Sequence, residues 1–164
     1  MKHQATLEIP IHHYIDANPA RPRSARSLRY LALMERELAS NPTGRLYSIA
    51  ATSAMYHASD YHRARDYFVR AAELGYRPGH SLEGAAEASY RTQDFGHASD
   101  LYQRAAGLGH NSPSMCLNRA NLAVKAGDHQ GAAALLQKCL DLGGLGPDIN
   151  AVILRNMESL RART

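Results

Sequence analysis

The chain has 164 residues, 45% of them apolar and 21% charged, with a formal net charge of +4. That is ordinary for a globular domain and is enough chain to bury one continuous core. No window approaches 18 consecutive apolar residues, so no membrane-spanning helix is expected, and two cysteines without a Cys-x-x-Cys spacing fit a reducing compartment, the cytoplasm by default.

The charge is uneven. Residues 1–45 hold seven Lys/Arg against four Asp/Glu, and the remainder twelve against eleven. The sequence pI near 9.2 therefore reflects mostly Arg21, Arg23, Arg26 and Arg29 and their neighbours. A basic pI raises nucleic acid as a partner. Here the excess is small and local, which leaves a nucleic-acid or acidic-surface binder as the alternative to a protein partner rather than the first expectation.

Residues 1–22 read as an N-terminal tail. Leu7, Ile9 and Ile11 alternate with polar residues or Pro10, Asn18-Pro19 marks a turn, and no apolar run of the signal-peptide kind succeeds Met1. From Arg23 to about residue 40 the pattern turns helical, with Leu28, Leu31, Met34 and Leu38 on one stripe at spacings of three and four. Asn41-Pro42 ends it, because the residue before a proline leaves the helical region. This segment is expected to cap the N-terminal end of the remaining chain.

Beyond Pro42 the sequence repeats. Residues 59–79 read SDYHRARDYFVRAAELGYRPG, and 34 residues later the chain reads QDFGHASDLYQRAAGLGHNSP, then GDHQGAAALLQKCLDLGGLGP. Asp60, Asp94 and Asp128 are in register, as are Ala64, Ala98 and Ala132, Leu74, Leu108 and Leu142, and Gly75, Gly109 and Gly143. Residues 45–78 and 79–112 share 11 identities in 34, Tyr56 with Tyr90 among them. A fixed period of this size marks stacked supersecondary units that bury their apolar faces on one another. Three helix–turn–helix units are expected, at 45–78, 79–112 and 113–146. Each aspartate caps the second helix, and each Leu-Gly closes it. The run 143–147, with three glycines and Pro147, is an exit. A last helix over 148–162 turns Ile149, Val152, Ile153, Met157 and Leu160 inward and leaves Arg155, Glu158, Arg161 and Arg163 to water.

These residues resemble the tetratricopeptide repeat (TPR) family, whose period is also 34 residues. The family's small residue in the first helix is matched by Thr52, Ala86 and Ala120, and those in the second by Ala64, Ala98 and Ala132 and by Ala71, Ala105 and Cys139. Its packing aromatic is matched by Phe68 and Tyr102, with Leu136 in the third unit. The early large residue is Ser48, Leu82 or Cys116, with no tryptophan, and the usual proline is displaced to Pro78 and Pro113. The resemblance implies an all-α fold, an α-solenoid of three repeats with N- and C-terminal capping helices. It also implies a concave groove for a peptide or helix of a partner protein. Carried over position by position, the first helices place Ile49, Ser53, Tyr56 and His57 on one wall, Glu83, Glu87, Tyr90 and Arg91 on the next, and Leu117, Asn121, Val124 and Lys125 on the third.

Repeat domains that clamp a chaperone's C-terminal carboxylate place lysine and asparagine at set sites of the first helices. Here those sites hold Ile49, Ser53, Gly84, Ser114 and Asn118, which argues against a heat-shock co-chaperone. In layout the chain is similar to the three-repeat cytoplasmic chaperones of bacterial type III secretion, which implies a chaperone or adaptor for an aggregation-prone secreted protein. The general alternative is a TPR scaffold in some other complex, or a homodimer in which one copy's tail enters another's groove.

Chemistry is sparse. His12-His13 lie in the tail and His57, Asp60 and His62 flank one turn, without the paired spacing of a zinc site or a cysteine pair to complete it. No Gly-x-Ser-x-Gly elbow or phosphate loop is present, and the glycine run at 143–146 comes after a helix rather than a strand. Cys116 and Cys139 fall at packing positions, where cysteine is a small buried hydrophobe. No catalytic residue, metal or cofactor is expected.

Overall fold

A computed structural model describes residues 25–162, and side chains from residue 28. Residues 1–24, with the expected tail, Arg21, Arg23, His12-His13 and the first residues of the expected cap, lie outside that range, as does Arg163. The described residues form eight α-helices and no strand: α1 (Ala25–Ser40), α2 (Gly44–Tyr56), α3 (Tyr61–Glu73), α4 (Pro78–Arg91), α5 (Phe95–Gly107), α6 (Pro113–Lys125), α7 (His129–Leu142) and α8 (Pro147–Arg161). They fall into two compact units, one holding α1–α5 and the other α6–α8.

Local chemistry sets the helix starts. The carboxylates of Asp60, Asp94 and Asp128 accept from the amides of Arg63, His97 and Gly131, satisfying first-turn donors that have no intrahelical partner. Thr43 and Ser112 do the same for α2 and α6, and Pro78, Pro113 and Pro147 occupy first-turn positions where a missing N–H costs nothing. Before each aspartate stands a left-handed residue: Ser59 (φ 53°), Gln93 (φ 62°) and Gly127 (φ 80°). The three are 34 apart, so the turn has one backbone shape and only the third copy has the residue that adopts it without steric cost. At the other end, α3 and α5 close through Leu74 and Leu108 and then left-handed Gly75 and Gly109, whereas α7 keeps Leu142 in the helix and ends on Gly143.

In the first unit α2 packs on α3, α3 on α4 and α4 on α5. Ala64, Ala71, Ala85, Ala86, Ala98 and Ala105 have no exposed surface, and Phe68, Leu101 and Tyr102 are buried among them. Gly84 lies under the Phe68 ring, and a Cβ there would come within 2.9 Å of its edge. α1 packs on α2 with Leu31, Met34 and Leu38 buried. Leu28 departs from the expected stripe and is 45% exposed, since it precedes the stretch of α1 that meets its neighbour. Thr52 also departs. It is exposed, unlike buried Ala86 and Ala120, and its hydroxyl turns back to donate to the Ser48 carbonyl. A polar clasp ties α1 to α3: Glu35 Oε1 accepts from Arg63 Nη1 at 2.7 Å and from the Tyr67 hydroxyl at 2.9 Å.

In the second unit α6 packs on α7 and α7 on α8. Cys116, Leu117, Ala120, Val124, Ala132, Leu136, Cys139, Ile153, Met157 and Leu160 make one core, with Ile149 and Val152 partly buried against it. Burying Leu136 completely is worth roughly 2 kcal/mol. Burial, then the proximity of Cys116, pushes the Cys139 thiol up to about 11, so it stays protonated as a packing group. Arg155, Glu158 and Arg161 are exposed, as expected, while Asn156 is buried on the same helix.

Two substitutions test these backbone constraints with opposite signs in urea unfolding. Gln93→Gly relieves a left-handed residue and should stabilise the protein by up to about 1 kcal/mol. Gly84→Ala gains about 1 kcal/mol of helix propensity but overpacks a buried ring, at a cost of roughly 1–3 kcal/mol, for a net loss.

Candidate functional site

The residues expected to line a groove do not share one environment. On α2 and α4, Tyr56, Glu87 and Arg91 come together. The Tyr56 hydroxyl donates to Glu87 Oε2 at 3.4 Å, and Arg91 Nη2 donates to Glu87 Oε1 at 3.4 Å, an i,i+4 pair. The Glu87 side chain is only 13% exposed, so two donors offset the desolvation of a carboxylate held between helices. Arg91 in turn lies 5.9 Å from the centroid of the Tyr61 ring, within cation–π range. Burial, then the Glu87 charge, holds the Tyr56 hydroxyl well above the ordinary tyrosine value.

Tyr90 lies apart from that network and packs on Phe95 of α5, with ring centroids 5.4 Å apart in an edge arrangement. Burial alone raises its hydroxyl. Ile49 and His57 are exposed, His57 as the C-cap of α2, with its amide donating to the Ser53 carbonyl. Ser53 is buried, and its hydroxyl has no hydrogen-bond partner.

Glu83 makes a different association. Its Oε2 stands 2.6 Å from His110 Nε2, and the His80 ring lies edge-on to that of His110 with centroids 6.0 Å apart. His80 is held below the ordinary imidazole value by partial desolvation of its ring, which remains largely exposed, and by the Arg77 charge, so it is neutral at pH 7. Neither histidine stands out in the sequence. The only signal was a His-x-x-Glu spacing on α4, whose partner lies 27 residues past the glutamate.

On α6, in the second unit, Leu117 and Val124 belong to the buried core, Asn121 is buried and Lys125 is exposed. The three walls read from the sequence are therefore not alike. Asp60 caps α3 and pairs with Arg63 Nε at 3.3 Å rather than with His57 or His62.

The tyrosines give the site and its support a pH signature. Tyr56, Tyr67 and Tyr90 are all raised, Tyr67 to about 12 by burial and by its bond to Glu35. The unfolded chain loses these protons near the ordinary value of about 10. Their stabilisation is thus complete below about pH 10 and is lost as pH rises through the folded values. Denaturation from pH 9 to 12 should show the wild-type advantage over Tyr67→Phe shrinking across that window; an advantage independent of pH would contradict the clasp. No protein-family model matches the chain, and no curated protein matches it significantly.

Proposed function

We propose that this protein is a non-enzymatic binding module of the tetratricopeptide kind, built from three 34-residue helix pairs, that takes a peptide or helical segment of a partner protein. The observation that carries this reading is the half-buried Tyr56–Glu87–Arg91 network joining α2 to α4. A tyrosine, a carboxylate and a guanidinium already held in one arrangement lose little freedom on binding, and aromatic and arginine side chains dominate interface energetics. Exposed Ile49 adds an apolar contact on α2.

The specific form we favour is a chaperone or adaptor of the type III secretion kind. What supports it is layout: a leading helix, three helix pairs whose second helices begin at Tyr61, Phe95 and His129, and a closing helix. Among the described residues no helix is long and apolar enough to cross a membrane.

Affinity capture from native lysate, comparing the intact protein with Tyr56→Ala/Tyr90→Ala, tests the reading, with helix content checked by circular dichroism. Arg91→Gln serves as a second variant that leaves the apolar packing intact. One partner protein should be captured by the wild type and lost by both folded variants, and binding should slow amide exchange on α2 and α4. Equal capture by all three proteins, or capture of nucleic acid alone, would exclude this face as the binding surface.

A further inference from the structure

His80 and Glu83 are three residues apart in α4, which places both on one side of that helix. His110 arrives from the segment after α5. Gly79 admits it: a Cβ at 79 would fall on the Cβ of His110 and within 3.0 Å of its Cγ. The first helix pair uses the same packing device, with Gly44 of α2 beneath Tyr76. Close approach of this segment to the start of the helix is therefore a structural habit of the unit. The chemistry placed on it is not. One period earlier the three positions are Leu46, Ile49 and Tyr76, and one period later Ser114, Leu117 and Gly144. Only the middle pair puts two imidazoles and a carboxylate where its neighbours put mainly apolar or small groups, so packing does not require them.

One ligating atom from each of the three side chains lies within 4.8 Å of the others. We propose that His80, Glu83 and His110 form a binding site for a divalent transition-metal ion with the preferences of zinc. Two imidazole nitrogens and one carboxylate oxygen suit that class, whereas calcium and magnesium favour oxygen alone. With bonds of about 2.0–2.1 Å, ligand atoms around a tetrahedral ion stand about 3.3 Å apart. The Glu83–His110 contact at 2.6 Å must therefore open by less than about 1 Å, while His80, which is exposed, swings inward by a rotamer change. Both adjustments involve side chains only. Three protein ligands leave a fourth position for water or for a donor from another molecule.

Two groups oppose the cation. Arg77 is close enough to depress the His80 pKa, and the amino end of α4 carries partial positive charge. The helix-end effect is about 0.3–1 kcal/mol at an accessible site, small beside three coordinate bonds. The other histidines flanking a turn, His57 and His62, have no such set: among the described residues the one group of three His, Cys, Asp or Glu side chains with the spacing of a metal site is His80, Glu83 and His110.

Calorimetric titration of the full chain with zinc chloride, against magnesium chloride as control, tests the assignment. One equivalent of zinc should bind, and magnesium should not. His80→Ala and His110→Ala should each weaken binding at least about 10-fold, since even groups one step removed from a metal are worth that much. A His57→Ala/His62→Ala protein should bind as the wild type does. His110→Ala keeps the Cβ that seats on Gly79, and circular dichroism confirms that the variants fold. Zinc should also raise the Tm of the wild type and of His57→Ala/His62→Ala, and raise that of His80→Ala by less at the same zinc concentration. No saturable binding by the intact chain, or unchanged affinity in folded His80→Ala and His110→Ala, overturns the proposal. Neither result bears on the partner-binding reading, which rests on Tyr56, Glu87 and Arg91.

Discussion

Close approach of helix backbones is the constraint on which the rest depends. Ala64 and Ala71 on α3, Ala98 and Ala105 on α5, and Ala132 and Cys139 on α7 have no exposed surface. A side chain larger than these at such positions pushes two helices apart, and every contact beyond them is lost together. The bulky groups that fill the remaining space, Phe68, Tyr102 and Leu136, occupy one register position in the three pairs and are all buried. Small residues set the distance and large ones fill it. Both recur because the same problem is solved three times.

That recurrence is why the helices were legible. Period, caps and breakers coincide, so the aspartates at 60, 94 and 128 locate α3, α5 and α7 to the residue. Within a helix, which face is covered was less legible. Leu28 and Thr52 fit the helical pattern and yet are exposed, because each lies on α1 or α2, where the neighbours differ from those of the interior helices. The left-handed turn residues were hidden for another reason. Ser59 and Gln93 carry no conformational signature, and only Gly127 reveals the backbone that all three share.

The site was legible in part. Family analogy named Tyr56, Glu87 and Arg91, which do meet, and Leu117 and Val124, which fill a core instead. Position in a repeat specifies the helix and its face, while the neighbours that cover that face come from elsewhere in the chain. Tyr61, which lies beside Arg91, starts the next helix and was invisible to the same reasoning. The His80–Glu83–His110 group was missed because its members are scattered and each is ordinary as a turn or helix-surface residue.

The clasp at Glu35 has a consequence for how the first unit opens. Among its described residues α1 buries Leu31, Met34 and Leu38, and its tie to α3 passes through one carboxylate oxygen shared by Arg63 and Tyr67. An element with so few apolar contacts belongs to the low end of the local-stability scale, and it separates before the alanine-packed helices loosen. Detachment of α1 bares apolar surface on α2 while α2–α5 keep their own packing. Opening of the first unit is thus expected to begin at α1, where one acceptor atom and three buried side chains are the described contacts that resist it.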